Sequence, residues 1–253
     1  METLMFHSRR RFAACGLLAV ALLAGCDRNG AARTPDTPAA TPPNTPAAAP
    51  SDAKARAAAR PRIVFLGDSL TAGLGLPQSQ AFPAVIGEKL QGEGYDVQVV
   101  NAGISGDTAA GGRRRMNWAL EGNVRVLVVA LGANDGLRGN PVNAMKDSLA
   151  AIIRDAKARG IKVLLLGMEA PPNFGPEYTA EFRRAFRDLA EDEDVAFVPF
   201  FLEGVAGIPS LNQPDGLHPN TNGSRRIADT VWKALEPLAA EAVPRTSDAG
   251  QRR

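Results

Sequence analysis

Beyond Cys26 the chain has no cysteine, and its other one, Cys15, lies upstream of that point. No disulfide can therefore form within the body of the protein. Histidine is equally scarce, with His7 near the start and His218 near the end. No Cys/His cluster has metal-ligand spacing, so no metal is expected. A large excess of either charge is missing too. The formal net charge is +2, and Pro61 to Ala240 carries 18 Lys/Arg against 21 Asp/Glu, a net of −3. The surplus basic residues lie in the two ends of the chain. A nucleic-acid-binding domain would carry a basic face on its folded part, so that class is excluded. There is no internal repeat, and no run after residue 26 is long and apolar enough to span a bilayer.

The beginning reads as an export segment. Arg9-Arg10-Arg11 is a basic cluster, Phe12 to Ala24 is apolar, and small residues close the run at Leu23-Ala24-Gly25-Cys26. This is the pattern of a signal peptide over residues 1–25. Its ending resembles a bacterial lipobox, which implies lipidation of Cys26 and a membrane anchor in the cell envelope, with the protein exported to the periplasm. Ser8-Arg9-Arg10-Arg11-Phe12 also resembles a twin-arginine signal, and the export route stays open. Asp27 resembles the signal that keeps some lipoproteins at the inner membrane. Residues 26–60 are rich in Ala, Pro and Thr and poor in large apolar side chains. Such a segment cannot bury enough surface to fold and is expected to be an extended tether, whose stretch from Ala31 to Arg60 would reach on the order of 90 Å at ~3.1 Å per residue. Residues 241–253 are again small and polar, and are expected to form a disordered tail.

That leaves residues 61–240 as one domain. Apolar runs at Ile63–Leu66, Val97–Val100, Val124–Leu131, Ile161–Leu166 and Val195–Val198 read as strands. Helical patterns alternate with them at Phe82–Gln91, Thr108–Leu120, Pro141–Arg159, Pro176–Glu191 and Ser224–Leu238. Five βα alternations with right-handed crossovers predict an α/β fold: a five-stranded, mostly parallel sheet between two helical layers, in flavodoxin-like order. A monomer is expected.

The polar residues that break this pattern gather at strand ends. Ile63–Leu66 stops at Gly67, and Asp68-Ser69 follows, where α/β proteins collect their ligands. Asp and Ser are also common helix N-caps, and the stretch alone fits either role. Asn101 to Thr108 is a Gly-rich segment after the second strand, whose Asp107-Thr108 could cap the next helix. Gly132-Ala133-Asn134-Asp135-Gly136 follows the third strand, where Asn134 could be a turn residue. Asp215-Gly216-Leu217-His218-Pro219-Asn220 precedes the last helix. A serine nucleophile needs a base near neutral pKa, and His218 is the one histidine of the body. Asp215 is close enough along the chain to orient its ring.

In order, Gly67-Asp68-Ser69-Leu70, Ser105-Gly106-Asp107-Thr108, Gly132-Ala133-Asn134-Asp135 and Asp215-Gly216-Leu217-His218-Pro219 resemble the four blocks of the SGNH, or GDSL, hydrolases. Leu131–Gly139 and Pro199-Phe200-Phe201 are similar to the bacterial multifunctional thioesterase/lysophospholipase/arylesterase group within it. The resemblance covers Arg62 to Leu238. It implies a cofactor-free serine esterase with Ser69 as nucleophile and the Asp215–His218 pair as its base. The Gly106 and Ser69 N–H groups and the Asn134 amide become oxyanion donors. Relatives often carry Gly where Ala133 stands, which should matter little beside Asn134. The implied substrates are aryl, short or medium acyl, and lysophospholipid esters, and acyl thioesters. Export favours lipid or small-molecule esters over acyl-CoA. Residues 137–141 and 169–178 are expected to line the acyl groove. The alternatives are a carbohydrate O-deacetylase of the same superfamily, or a non-catalytic envelope-binding lipoprotein, against which the full triad argues.

Overall fold

The computed structural model describes residues 60–245. The signal-like segment, Cys26, the tether up to residue 59 and residues 246–253 lie outside the described residues. Five strands form one sheet: β1 (Arg62–Gly67), β2 (Gln98–Gly103), β3 (Val124–Ala130), β4 (Lys162–Leu166) and β5 (Ala196–Val198). All neighbours pair in parallel, in the order β2-β1-β3-β4-β5. This is the flavodoxin-like order that the alternation predicts. Ile63, Val64, Phe65 and Leu66 are wholly buried because β1 is an inner strand covered by helices on both faces.

The longer helices are α2 (Phe82–Gly92), α3 (Ala109–Ala119), α5 (Val142–Ala158), α6 (Gly175–Asp192) and α7 (Thr221–Ala242). Two short ones, α1 (Ser69–Ala72) and α4 (Ala133–Leu137), follow β1 and β3 directly. Helices α2 and α7 pack together on one face, and α3, α5 and α6 lie side by side on the other. In this order the chain steps to one side of β1 to lay down β2, then crosses to the other side for β3. The carboxyl ends of β1 and β3 therefore flank the topological switch point, where such sheets bind ligands.

Among the differences from the sequence expectation, three bear on the site or on the extent of the domain. Strand β2 runs to Gly103 rather than stopping at Val100, because Asn101, Ala102 and Gly103 stay in register with Phe65, Leu66 and Gly67. Asn134 stands in helix α4, not in a simple turn, after Gly132 bends the chain at φ +112°. The ordered chain also continues past residue 240. Helix α7 accommodates Pro237 and reaches Ala242, burying Leu235 and Ala239 on either side of the proline. Arg245 then donates to the Tyr95 hydroxyl at 2.9 Å and lies over its ring.

Candidate active site

The segment after β1 is shaped by close approach. A Cβ on Gly67 would overlap Thr71, and one on Gly103 would overlap the Ala72 nitrogen and the Asp68 carbonyl. Two glycines thus let helix α1 sit against the strand ends. The cap of α1 is Asp68, whose Oδ1 accepts from the Leu70 N–H at 3.0 Å. Ser69 is the first helical residue, with its side chain free of capping duty. Its own N–H is one of the donors that a helix start leaves unspent, and no partner for it stands among the described residues.

Ser69 Oγ lies 2.9 Å from His218 Nε2, and His218 Nδ1 lies 2.6 Å from Asp215 Oδ2. The loop carrying both partners is braced from within. Asp215 Oδ1 accepts the N–H groups of Leu217 at 2.9 Å and His218 at 3.0 Å, which folds a tight turn and leaves Oδ2 facing the imidazole. These bonds to the charged form, led by the one from the His218 backbone, lower the Asp215 carboxyl to about 2. Gln213 joins this loop to the serine segment, donating to the carbonyls of Pro219 at 3.0 Å and Leu74 at 2.7 Å. Asn220 caps α7 through bonds from Asn222 and Gly223, so the last helix begins directly after the histidine loop.

The second and third strand ends complete the site. The Ile104 N–H donates to the Gly67 carbonyl at 3.0 Å, and the Asp107 N–H closes a turn on Ile104 O at 3.1 Å. Gly106 occupies that turn at φ +81°, a conformation that glycine adopts without penalty. Its N–H has no partner among the described residues, and its carbonyl accepts from Arg138 Nη2 at 2.9 Å. Asn134 Nδ2 lies 3.0 Å from the Asp107 carbonyl and 3.4 Å from Asp68 Oδ2. Ser69, Asn134 and His218 border one open groove of about 460 Å³. Gly106 does not line the groove; its turn is tied to the site by its neighbours, the Ile104 N–H on the Gly67 carbonyl and the Asp107 carbonyl on the Asn134 amide.

Several of these contacts leave no mark in the sequence. Thr108 caps α3, as the sequence allows, but the Asp107 carboxylate pairs instead with Arg115 at 2.6 Å. Asp135 is buried and accepts the Ala109 N–H at 2.8 Å, so it caps α3 from a different element. Asp68 is 1 % exposed, and burial raises its carboxyl to about 6 against the bonds from Leu70 and Asn134. The acid next to Ser69 was visible, but only the fold reveals that it is enclosed. The groove also departs from the expected lining. Leu137 borders it from the 137–141 segment and Glu169, Ala170 and Pro171 from 169–178, while Phe200, Leu202, Ala206 and Gly207 supply a wall that the sequence did not suggest. Among the described residues, no group of three or more His, Cys, Asp or Glu side chains could hold a metal ion. None of their helices is long and apolar enough to cross a membrane.

The GDSL-like Lipase/Acylhydrolase family profile matches residues 65–226. The esterase TesA of Pseudomonas aeruginosa is 46% identical over 182 residues, which is 72% of this chain and 90% of the relative. Thioesterase 1/protease 1/lysophospholipase L1 of Escherichia coli K12 is 40% identical over 184 residues, 72% of this chain and 87% of the relative. A crystal structure of TesA superposes with a TM-score of 0.68 at 46% identity, covering 71% of this chain and 99% of that one.

Proposed function

This chain belongs to the GDSL-like lipase/acylhydrolase family, and we propose that it hydrolyses carboxylic esters through an acyl-enzyme on Ser69. The observation that carries the reading is the continuous relay from Ser69 Oγ to His218 Nε2 at 2.9 Å and from Nδ1 to Asp215 at 2.6 Å. His218 takes the Ser69 proton as the hydroxyl attacks the substrate carbonyl. The Asp215 carboxylate, held ionised by its hydrogen bonds, stabilises the imidazolium that forms. The Ser69 and Gly106 N–H groups receive the oxyanion. Asn134 joins them by releasing its longer contact to Asp68, the 3.4 Å one, while the Asp107 carbonyl keeps hold of its amide. His218 then protonates the leaving alcohol or thiol, and water, deprotonated by the same ring, frees the acid.

The groove supports an acyl chain as the part of the substrate that binds. Leu70, Leu137, Met168, Pro171, Phe200 and Leu202 line it, and such an apolar trough suits a hydrocarbon better than a sugar. Aryl and lysophospholipid esters fit it, as do thioesters, in line with the activities named for the relatives. Lipidation at Cys26 and export to the envelope extend the same reading, since lipid esters are at hand there. The test is kinetic. Ser69→Ala and His218→Ala should each abolish nearly all hydrolysis of p-nitrophenyl butyrate, and the double variant should lose little more, because the three residues act as a unit. Losses that multiply in the double variant would contradict the relay.

A further inference from the structure

We propose that Arg115 is the positioning residue that sets the oxyanion loop against the nucleophile. The inference rests on the reading of Gly106 and Asn134 as oxyanion donors. Arg115 is one of three consecutive arginines on α3, and its side chain is only 14% exposed. Three of its donors are committed. Nη2 reaches the Gly67 carbonyl at 2.8 Å, Nη1 the Ala102 carbonyl at 2.6 Å, and Nε the Asp107 carboxylate at 2.6 Å.

Each acceptor belongs to a different part of the site. Gly67 is the last residue of β1, directly before Asp68 and Ser69, and its carbonyl also takes the Ile104 N–H at 3.0 Å. Ala102 lies at the end of β2. Asp107 closes the turn that holds Gly106, and its carbonyl takes the Asn134 amide at 3.0 Å. One guanidinium therefore holds both ends of the Gly106 turn, the Ile104 end through the shared Gly67 carbonyl and the Asp107 end through the carboxylate. The same group fixes the strand that presents Ser69.

An ion pair this enclosed, with Asp107 13% exposed, is a weak source of stability, because desolvation offsets the attraction. What it supplies is geometry. The planar fork directs five N–H groups at fixed angles, enough for a carboxylate and two carbonyls on separate elements. A lysine ammonium at this position could keep the ion pair but could not span all three acceptors. An oxyanion hole works only if its donors already stand where charge will develop. A displacement of about 1 Å there can lower the rate on the order of 10²-fold.

The experiment is a double-mutant cycle on the full-length protein, with kcat per active site titrated by a fluorophosphonate. Arg115→Lys should lower kcat on p-nitrophenyl butyrate by about 10- to 100-fold and leave KM within about threefold. Asp107→Asn, which spares both carbonyl bonds, should show a smaller fall of the same kind. Asn134→Ala should lower kcat by about 10²–10³-fold. The Arg115→Lys/Asn134→Ala double variant should lose clearly less than the product of the single losses, since both act on one oxyanion. A merely structural arginine would lower the thermal midpoint and the fraction of titratable sites, with kcat per titrated site unchanged, and that result overturns the proposal. Full multiplicativity in the double variant overturns it as well. Should Arg115→Lys fail to fold, an unchanged kcat in folded Asp107→Asn would do the same. An unaltered kcat in Asn134→Ala removes the oxyanion reading itself, and the role given to Arg115 goes with it.

Discussion

Asp68 and Asp215 are two carboxylates near one imidazole, and their surroundings push them in opposite directions. Asp215 is exposed and collects hydrogen bonds that favour its charge, so the stability it contributes is present above its ordinary value of 3.8 and fades as pH falls through about 2. Asp68 is enclosed, and its native carboxyl lies near 6 against 3.8 for the free group. The folded state then binds this proton more tightly than the unfolded chain does. Its contribution is whole below about pH 4 and is lost as pH rises through about 6. Asp68→Asn, which cannot ionise, should therefore gain stability relative to wild type as pH rises from 4 to 7, on the order of 2 kcal/mol. Parallel thermal or urea unfolding of both proteins across that range measures it. A constant difference would mean that Asp68 titrates like an exposed acid.

Short elements at the strand ends depend on caps that neighbours in space provide. The start of α3 is satisfied by Thr108, directly before it, and by Asp135 from α4, at 3.2 and 2.8 Å. Thr108→Ala should cost about 1 kcal/mol, as loss of a cap usually does. Asp135→Ala strands a buried N–H and should cost about 1–3 kcal/mol. Urea midpoints at unchanged m-value would report both, and an Asp135→Ala variant as stable as wild type would refute the cross-element cap. These contacts also mark what the sequence could and could not tell. Alternating apolar runs forecast the five strands, the sheet order and the long helices, because period and burial are local signals. Ser69, His218 and Asp215, which the fold brings within hydrogen-bond reach of one another, could be picked out as candidates from residue chemistry at strand ends and from four ordered blocks. The role of Asp135, the enclosure of Asp68 and the choice of Arg115 among Arg113, Arg114 and Arg115 could not be. Each is decided by a partner far away in the chain, such as Gly67, 48 residues from Arg115.

At the scale of the whole molecule, the site gathers segments from all along the folded body: Ser69 after β1, the Gly106 turn after β2, Asn134 after β3, and the Asp215–His218 loop after β5. The groove beside them takes its walls from the β3, β4 and β5 ends. The proposed lipidation of Cys26, at the end of the lipobox-like segment, would hold this esterase at a membrane. Cys26→Ser should leave hydrolysis by the body intact and move the protein from the membrane to the soluble fraction. An unchanged membrane fraction would refute the anchor and spare the esterase. A narrower prediction is that Ser69 carries the acyl group. Its most direct measurement is the mass of the protein after treatment with a fluorophosphonate, followed by mapping of the modified peptide. A single adduct on Ser69, absent from folded Ser69→Ala and slowed severely in His218→Ala, is the predicted result. No adduct on the wild-type protein, or one that persists in Ser69→Ala, would contradict it.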